Sequence, residues 1–414
     1  MIYFKHTELA KEYHVSLKTV HNWIDAAKQG KLDLKLHEEN SRVYVANTPT
    51  NHLVLDRLAD NGKKYRNSLH HKVVSPKPEF YQAYSRRQIL DIISSLNIHH
   101  EIPQQYNYFK EGATDWDAWI KRLDGEDSWS MLKGSVSLLR DNRDAIDRLL
   151  EDYDRINIVD MGVGNALPVR ELLGYLADQG KLNRYIAIDI SQNMLDIAER
   201  NIQSWFGDRI AFEGHVRDFS FERFDDLLVD DMLSEQQEKT VNVVLLMGGT
   251  AINFRSPADI MKVAYGSMGD KDLLIYTDKP DTEAARRYFD INSEAGSNAL
   301  SPFYSMTLDM LGLDSSLFTV ERGFSSRRLM RYIRVRLTTA LTIRFTFGGA
   351  VRDVVFEKGD TILLLRMWHQ TVLELISEFA QVGFTPLHAN LSKNREYLLT
   401  ISAVEKNVAD GVHH

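Results

Sequence analysis

The segment "NIVDMGVGNALPVRELL", residues 157–173, constrains the fold more than any other part of the chain. It begins as an apolar run that ends in Asp160, which is typical of a buried strand. Gly162 and Gly164 follow, and after them apolar residues recur at helical spacing. A strand, a tight glycine turn and a helix in this order predict the first unit of an α/β sheet with a ligand bound against the turn.

Further strands and helices are predicted downstream of this unit. Four apolar segments have the composition and length of strands: "RYIAIDIS", "IAFEGHVRDFSF", "VNVVLLMGGTAINF" and "KDLLIYTDKP". The segment "QNMLDIAERNIQSWF" between the first two has a helical pattern. Alternating strands and helices favour a parallel, doubly wound sheet, so we expect a Rossmann-like α/β domain.

The residues at the strand ends indicate which ligand the turn binds. Asp189 ends the second strand, where a carboxylate can accept both hydroxyls of a ribose. A dinucleotide would also need a third glycine near its pyrophosphate, but Leu167 occupies that place. S-adenosylmethionine (SAM) has no phosphate, and Asp218-Phe219 offers its adenine an acid and an apolar neighbour. We therefore predict SAM as the cofactor, bound by Asp160, Gly162, Gly164, Asp189, Ser191, Asp218, Phe219, Met247 and Gly248.

The charge of the chain is unevenly distributed. Residues 1–75 carry a net charge of +4, whereas the remaining residues carry −12. A basic segment attached to an acidic body indicates two functions, and only the basic segment is suited to nucleic acid.

The basic segment itself predicts a small helical module. "HTELAKEYHVSLKTVHNWIDAAKQGKL" predicts two helices around a short turn, with Thr7 capping the first and Ser16 the second. "LDLKLHEENSRVYV" then predicts a two-stranded hairpin.

This stretch resembles the winged helix-turn-helix heads of the MerR and excisionase type. The resemblance rests on Leu9-Ala10, Val15-Ser16, Thr19-Val20 and Trp23. In such modules the start of the second helix enters the major groove, which here implies Ser16, Lys18, Thr19, His21 and Asn22 as DNA-binding residues. Lys31, Lys35 and Arg42 would reach phosphates. Docking to a protein, or dimerisation, is the alternative for the same module.

Composition excludes several other classes of protein. The 414 residues include no cysteine, so disulfides, thiolate metal sites and cysteine nucleophiles are excluded. No window is apolar enough for a membrane span, and the first residues do not have the pattern of a signal peptide. We therefore expect a cytoplasmic protein. The histidine pairs at residues 70–71 and 99–100 point to different faces of a helix, so no metal site is predicted.

Residues 77 to about 403 resemble the histidine-specific methyltransferases of the ergothioneine pathway. The resemblance rests on four segments: "PEFYQAYSRRQIL", "VNVVLLMGGTAINF", "RRYFDINSEAGSNALSPFYSMTLDMLG" and "VVFEKGDTILLLRMWHQTVLELISEFAQVGFTPL". It implies methyl transfer from SAM to a small amine lying between a Rossmann domain and a second domain. It also implies Tyr81, Asn253 and Tyr288 as substrate-holding or catalytic residues. Asn253 and Ser256 are equal candidates for the cap of the helix that follows them.

These observations predict two domains. Residues 1–66 form the winged helix-turn-helix-like domain, and residues 67–404 form the methyltransferase. Its Rossmann core is expected at about residues 140–290, with substrate or lid parts at about residues 67–139 and 291–404.

Departures from the family's pattern bear on the substrate. The family holds the imidazole of histidine with an acidic and a hydroxyl residue of a late strand, and the aligned positions here are Leu365 and Met367. A site without those groups discriminates poorly for a polar substrate, so histidine is not the expected substrate. We expect N-methylation of another amino acid or small amine with a larger or more apolar side group.

The alternatives are a SAM- or metabolite-binding DNA regulator without transfer activity, methylation of a peptide or protein, and nucleic-acid methylation. The acidic body and the missing D/N-P-P-Y motif disfavour the last of these.

Overall fold

The computed structural model describes residues 3–13, 15–39, 42–48, 50–52, 54–56, 58–59, 71–125, 130–228, 239–286 and 299–406. By its internal contacts the chain divides into two compact units. The first comprises residues 1–73 with 339–342 and 355–357, and the second comprises the rest. No helix within the described ranges has the length and apolarity needed to cross a membrane.

The helices are α1 His6–Glu12, α2 Leu17–Lys28, α3 Pro78–Ala83, α4 Arg86–His99, α5 Glu111–Gly125, α6 Met131–Asp141, α7 Arg143–Leu149, α8 Arg170–Asp178, α9 Gln192–Phe206, α10 Pro257–Ser267, α11 Glu283–Arg286, α12 Pro302–Met310 and α13 Val372–Val382. The strands are β1 Tyr3–Phe4, β2 Leu36–Glu39, β3 Arg42–Ala46, β4 Lys72–Val74, β5 Arg155–Met161, β6 Leu182–Asp189, β7 Phe212–Val216, β8 Thr240–Leu246, β9 Leu273–Asp278, β10 Phe318–Ser325, β11 Met330–Leu337, β12 Leu341–Phe347, β13 Ala350–Phe356, β14 Thr361–Trp368, β15 Phe384–Leu391 and β16 Leu398–Val404.

The first unit contains the two helices and the hairpin that the sequence predicts. Strands β2 and β3 pair antiparallel from Leu36 opposite Val45 to Glu39 opposite Arg42, and β1 adds to β3. Ser16 caps α2, as predicted, since its Oγ accepts a hydrogen bond of 3.1 Å from the amide of Thr19.

The predicted cap of α1 is wrong. The N-cap residue is Lys5, and Thr7 lies inside the helix. The amide of Lys5 donates to Oε2 of Glu8 at 2.8 Å. A glutamate three residues after the cap thus satisfies a donor at the helix start, and the helix begins earlier than the threonine suggests.

The central sheet has the strand order β15-β16-β9-β8-β5-β6-β7. Strands β5 to β9 are parallel, as predicted. The prediction of a wholly parallel sheet is wrong, because β16 pairs antiparallel with β9 and β15 pairs antiparallel with β16. The sheet therefore draws strands from residues 384–404, outside the range of about 140–290 expected for the core.

Helices cover both faces of this sheet, which makes it doubly wound. One face packs against α8 and α9, and the inward residues of α8 include Leu172, Leu173 and Leu176. The other face packs against α10 and α13. Because both faces are covered, the side chains of β5 and β8 are almost all buried, which explains their continuous apolar sequences.

Two smaller sheets complete the described architecture. Strands β10, β11 and β14 form an antiparallel sheet, and β4, β12 and β13 form a second three-stranded sheet. The first of these carries the late-strand positions Leu365 and Met367.

Candidate active site

The glycine turn after β5 lies at the carboxyl end of the parallel strands. Gly162 and Gly164 have φ angles of 73° and 55°, in the region that favours glycine. A Cβ atom added at Gly162 would lie 2.9 Å from Cγ2 of Thr250 and 3.2 Å from Cζ of Phe219. The loops after β7 and β8 therefore meet at this turn, as expected for a site at the strand ends.

Asp189, at the end of β6, lies beside the same turn. Its side chain is buried and accepts hydrogen bonds from the amides of Ser191 at 3.0 Å and Gly164 at 3.4 Å. Burial raises the pKa of Asp189 to about 6, although these amides lower it in part. The buried Ser191 caps α9 by accepting from the amide of Met194 at 3.4 Å. Asp189 is thus a fixed acceptor at the place predicted for the ribose contact.

Asp160 is buried inside the sheet rather than facing solvent. Its Oδ2 accepts a hydrogen bond of 3.0 Å from the hydroxyl of Tyr185 on the neighbouring strand β6. Burial raises the pKa of Asp160 to about 7, while the Tyr185 hydrogen bond lowers it and the charge of Asp189 adds to the rise. Asp160 and Asp189 therefore form a buried acidic pair behind the turn, and their environment disfavours having both ionised.

The predicted adenine pair follows β7. Oδ1 of Asp218 accepts from the amide of Ser220 at 3.2 Å, and burial raises the pKa of Asp218. Phe219 is 5 % exposed, and its ring lies 5.9 Å from that of Phe254. The acid and its apolar neighbour thus stand beside the glycine turn, as the sequence suggests.

The loop after β8 contains the predicted Met247, Gly248 and Asn253. Met247 is buried, and Gly248 has a φ of 69° with no atom within 4 Å of an added Cβ, so open space adjoins the backbone there. Nδ2 of Asn253 donates to the carbonyl of Gly249 at 3.2 Å, and its buried Oδ1 accepts no hydrogen bond. Ser256, not Asn253, is the N-cap of α10. Asn253 therefore keeps an unused acceptor that a helix cap would have consumed.

The structure brings Trp116, which the sequence analysis did not single out, to the glycine turn. Trp116 of α5 packs on the glycine turn so closely that a Cβ at Gly164 would lie 2.7 Å from its Cη2 atom. The next residue, Asp117, accepts a hydrogen bond of 2.8 Å from Nδ2 of Asn165 in the same turn. Helix α5 therefore covers the turn. In the sequence this segment is distinguished only by the adjacent aromatic and acidic residues Trp116-Asp117. No spacing pattern along the chain connects them with the glycine turn.

Tyr108 is a second residue that the sequence did not reveal. Its ring lies 5.8 Å from that of Trp116 and 5.0 Å from that of Phe303 on α12. Burial raises the pKa of Tyr108 to about 12, a hydrogen bond from Gln104 lowers it, and the charge of Asp189 adds to the rise. Tyr108 thus belongs to an aromatic cluster close enough to Asp189, the aspartate predicted to bind the ribose, to be affected by its charge.

A cavity of about 170 Å³ adjoins Asn253 and Ser220. Its wall includes Glu101, which is 3 % exposed and forms ion pairs with both Arg255 and Arg366. Nε of Arg255 donates to Oε1 of Glu101 at 2.9 Å. This network ties the loop after β8 to β14, so it holds Asn253 in place.

The predicted substrate residue Tyr81 contacts strand β12. The hydroxyl of Tyr81 accepts a hydrogen bond of 3.0 Å from the amide of Thr346, and its ring stacks on Phe347 at 6.0 Å. Both contacts are with β12 and favour a packing role, and the catalytic role of Tyr81 stays a prediction. Tyr288 lies outside the described residues.

The predicted DNA-binding residues lie on and before α2 of the first unit. The hydroxyls of Ser16 and Thr19 are 2.8 Å apart and form the helix cap. Lys18, His21 and Asn22 are exposed along the same helix.

The description "histidine-specific methyltransferase, SAM-dependent" belongs to the family model that matches residues 86–403. The chain belongs to this family. As a member of the SAM-dependent methyltransferase family, it is an enzyme with SAM as its cofactor, which favours the enzymatic prediction over a regulator without activity. The site fits SAM: glycines of positive φ line the turn, space is open at Gly248, and Asp189 is a buried acceptor.

Solved structures similar to this methyltransferase include a SAM-dependent methyltransferase from Clostridium acetobutylicum, which is 11 % identical with a TM-score of 0.39. That match covers 71 % of this chain and 99 % of the other. Another is magnesium protoporphyrin IX methyltransferase from Synechocystis, which is 10 % identical with a TM-score of 0.38 and covers 77 % of this chain and 100 % of the other. No curated protein sequence matches the chain.

Proposed function

We propose that this methyltransferase N-methylates an amino acid or another small amine, and that histidine is not its substrate. The unused Oδ1 of Asn253 supports the first part, because a buried acceptor in the loop after β8, which meets the glycine turn at Thr250, suits the N–H groups of an amine. Leu365 and Met367 support the second part. Leu365 is 8 % exposed and pairs across the sheet with Ile333, so an apolar surface stands where the resemblance implies polar groups.

The cofactor-binding residues have distinct roles in this proposal. Asp189 would accept the ribose hydroxyls, Asp218 and Phe219 would hold the adenine, and the glycine turn would admit the amino-acid arm. When bound, SAM supplies a methyl group activated by a positively charged sulfur. The protein needs only to align the acceptor nitrogen with that group and to exclude water.

The acceptor nitrogen must be neutral to attack. The methyl group would come from the cofactor held by the glycine turn and Asp189, leaving S-adenosylhomocysteine, and the nitrogen's extra proton would leave to water. Oδ1 of Asn253 would accept a hydrogen bond from the substrate's N–H and so orient the nitrogen lone pair. Because its pKa is about 12, the Tyr108 hydroxyl stays protonated at neutral pH, so it orients groups by hydrogen bonding and is not the base.

An amine panel tests this function. We expect methylation of at least one amino acid or small amine, seen by mass spectrometry as the added methyl, with histidine far below it. Asn253→Ala should lower kcat/KM by about tenfold or more through the lost N–H contact, with S-adenosylhomocysteine affinity unchanged. Ser256→Ala, from the same cavity wall, is the matched control. Methylation of histidine as fast as the best amine would contradict the proposal.

A second role is proposed for residues 1–66, as a domain that binds DNA or docks to a protein or a second copy. The supporting observation is that Lys18, His21 and Asn22 are exposed on one helix whose start is fixed by the Ser16 cap. The N-terminal end of such a helix is the part that reads a major groove.

Fluorescence anisotropy with a labelled duplex tests that role. We expect weak binding that falls steeply with salt and is reduced by Lys18→Glu, because phosphate contacts release counterions. Deleting residues 1–66 should abolish it and leave S-adenosylhomocysteine binding intact. Absence of duplex binding at low salt would leave protein docking as the role to test by oligomeric state.

A further inference from the structure

The cavity beside Asn253 is lined by four parts of the fold. Its wall is formed by α4 with the segment that follows it, by the loops after β7 and β8, and by β14. Its volume is about 170 Å³. A cavity of about 150 Å³ can hold one benzene molecule, so this one has room for the body of a small metabolite.

Two sets of contacts connect this cavity with the predicted cofactor site. Ser220 lines the cavity, and its amide donates to Oδ1 of Asp218 at 3.2 Å. Gln104 also lines it, and its Nε2 donates to the hydroxyl of Tyr108 at 3.3 Å. The ring of Tyr108 lies 5.8 Å from that of Trp116, which packs on the glycine turn. The cavity therefore adjoins the cofactor residues on two sides.

Three residues of the cavity wall keep a buried polar atom that has no hydrogen-bond partner within the described ranges. These atoms are Oδ1 of Asn253, Oε1 of Gln104 and Nε of Arg366. The two amides have their NH₂ groups turned away, toward the carbonyl of Gly249 and the hydroxyl of Tyr108. Because buried polar groups are normally paired, two acceptors and one donor in one wall indicate a ligand with the complementary set.

The charges of the wall disfavour an ionised group at the Gln104 end. Glu101 is 3 % exposed, and its two oxygens pair with Arg255 and Arg366, so the charge of Arg366 is already matched. An anion would face the oxygen of Gln104 and the nearby carboxylates of Glu101 and Asp91. A cation would oppose Arg366. A neutral group that both donates and accepts avoids these costs.

We propose that the substrate is an amine whose other end is a primary carboxamide or a urea, and that Gln104 and Arg366 bind this end. Oε1 of Gln104 would accept from its NH₂ group, and Nε of Arg366 would donate to its carbonyl. The proposal rests on the proposed function, in which Asn253 holds the amine. Arg366 alternates with Leu365 and Met367 along β14, so it projects to the face opposite their apolar side chains.

Matched probes test the proposal on the full chain. L-asparagine is compared with L-aspartate and L-leucine, L-glutamine with L-glutamate and L-methionine, and L-citrulline with L-arginine. Each is titrated by calorimetry into protein saturated with S-adenosylhomocysteine, and methylation with SAM is followed by mass spectrometry. We expect at least one amide or urea to bind tenfold or more tightly than its partners, because they leave Gln104 and Arg366 unpaired or oppose their charges.

Two variants assign this preference to the wall. Gln104→Met removes the acceptor at similar side-chain length, so it should abolish the preference over the apolar partner. Arg366→Lys should weaken the preference as well, because a lysine can still pair with Glu101 but has no Nε–H. Gln105→Met is the matched control, since Gln105 is the next residue of the same turn, lines the cavity and has no buried unpartnered atom among the described residues. It should keep the preference, and thermal unfolding should show that all three variants are folded.

An acid or apolar partner that binds as tightly as its amide would overturn the proposal. So would the absence of binding by asparagine, glutamine and citrulline alike, or a preference that survives Gln104→Met. Methylation of a different amine would then leave the proposed function standing. Failure to methylate any amine, or methylation of histidine as fast as the best amine, would instead overturn the proposed function itself.

Discussion

Asp189→Asn is expected to weaken S-adenosylhomocysteine binding about 30-fold or more. A carboxylate accepts both ribose hydroxyls, whereas an amide offers one oxygen, and each hydrogen bond to a charged group contributes roughly 1.5–3 kcal/mol. The asparagine NH₂ would also face the amides of Ser191 or Gly164, which are themselves donors. Calorimetry measures the loss.

Glu199→Gln provides the control for that experiment, because Glu199 is an exposed carboxylate on α9. It should bind the ligand as the wild type does. Both variants should remain folded in thermal unfolding. If Asp189→Asn binds as tightly as the wild type, the assignment of Asp189 to the ribose is wrong.

The same residue gives the binding a pH dependence. The pKa of Asp189 is raised from 3.8 to about 6, so its contribution to the stability of the fold is present at low pH and is lost as pH rises through 6. Ribose hydroxyls favour the ionised form, so ligand affinity should rise between pH 5 and 7. Asp160, whose pKa is raised to about 7, titrates in a neighbouring pH range in both the wild type and Asp189→Asn. The difference between these two proteins in how affinity changes with pH therefore reports the titration of Asp189.

Gly164→Ala should be the most damaging single-methyl change in the turn. Its φ of 55° costs an alanine about 1–2 kcal/mol, and the new Cβ would lie 2.7 Å from Cη2 of Trp116. We expect the free energy of unfolding to fall by about 3 kcal/mol in total, since overpacking adds about 1–3 kcal/mol to the backbone cost. Ligand binding should be lost because the turn must shift. Chemical denaturation and calorimetry measure the two effects.

Gly180→Ala separates the two causes. Gly180 has a similar φ of 69°, but nothing lies within 4 Å of an added Cβ, so only the backbone cost applies. Adding Trp116→Ala to Gly164→Ala should relieve the steric part, so the two changes should be non-additive. Equal destabilisation by Gly164→Ala and Gly180→Ala would show that the contact with Trp116 carries no strain.

The sequence predicted the parts of the fold that rest on local patterns. The strand, turn and helix at residues 157–173 and the helix Gln192–Phe206 are local features, because apolar periodicity and turn chemistry act over a few residues. That Asp189 and the loop of Asp218-Phe219 lie near the glycine turn was predictable from the strand order, since parallel strands bring their carboxyl ends to one edge, and their role in binding SAM stays a prediction.

Features that depend on distant partners were not predictable in this way. The apolar pattern of β16 marks a strand but does not say that it pairs antiparallel with β9. Trp116 reaches the turn only through tertiary packing, and Tyr81 lies against β12 although its motif suggested the site. Gln104 and Arg366 acquire their meaning only from the cavity whose wall they share with Asn253.

The closure of the site by α5 has a consequence for how the molecule acquires its structure. The bond between Asn165 and Asp117 joins residues 48 apart, and that between Lys110 and Asn193 joins residues 83 apart. Contacts of such sequence separation carry a large loop-closure entropy, so they form late in folding. The sheet itself joins Arg155 with Thr240, 85 residues apart, and Asp278 with Leu398, 120 residues apart, so the sheet and its cover are expected to form together in a late phase. A ligand added during refolding would then raise the yield of native enzyme without accelerating the earliest phase.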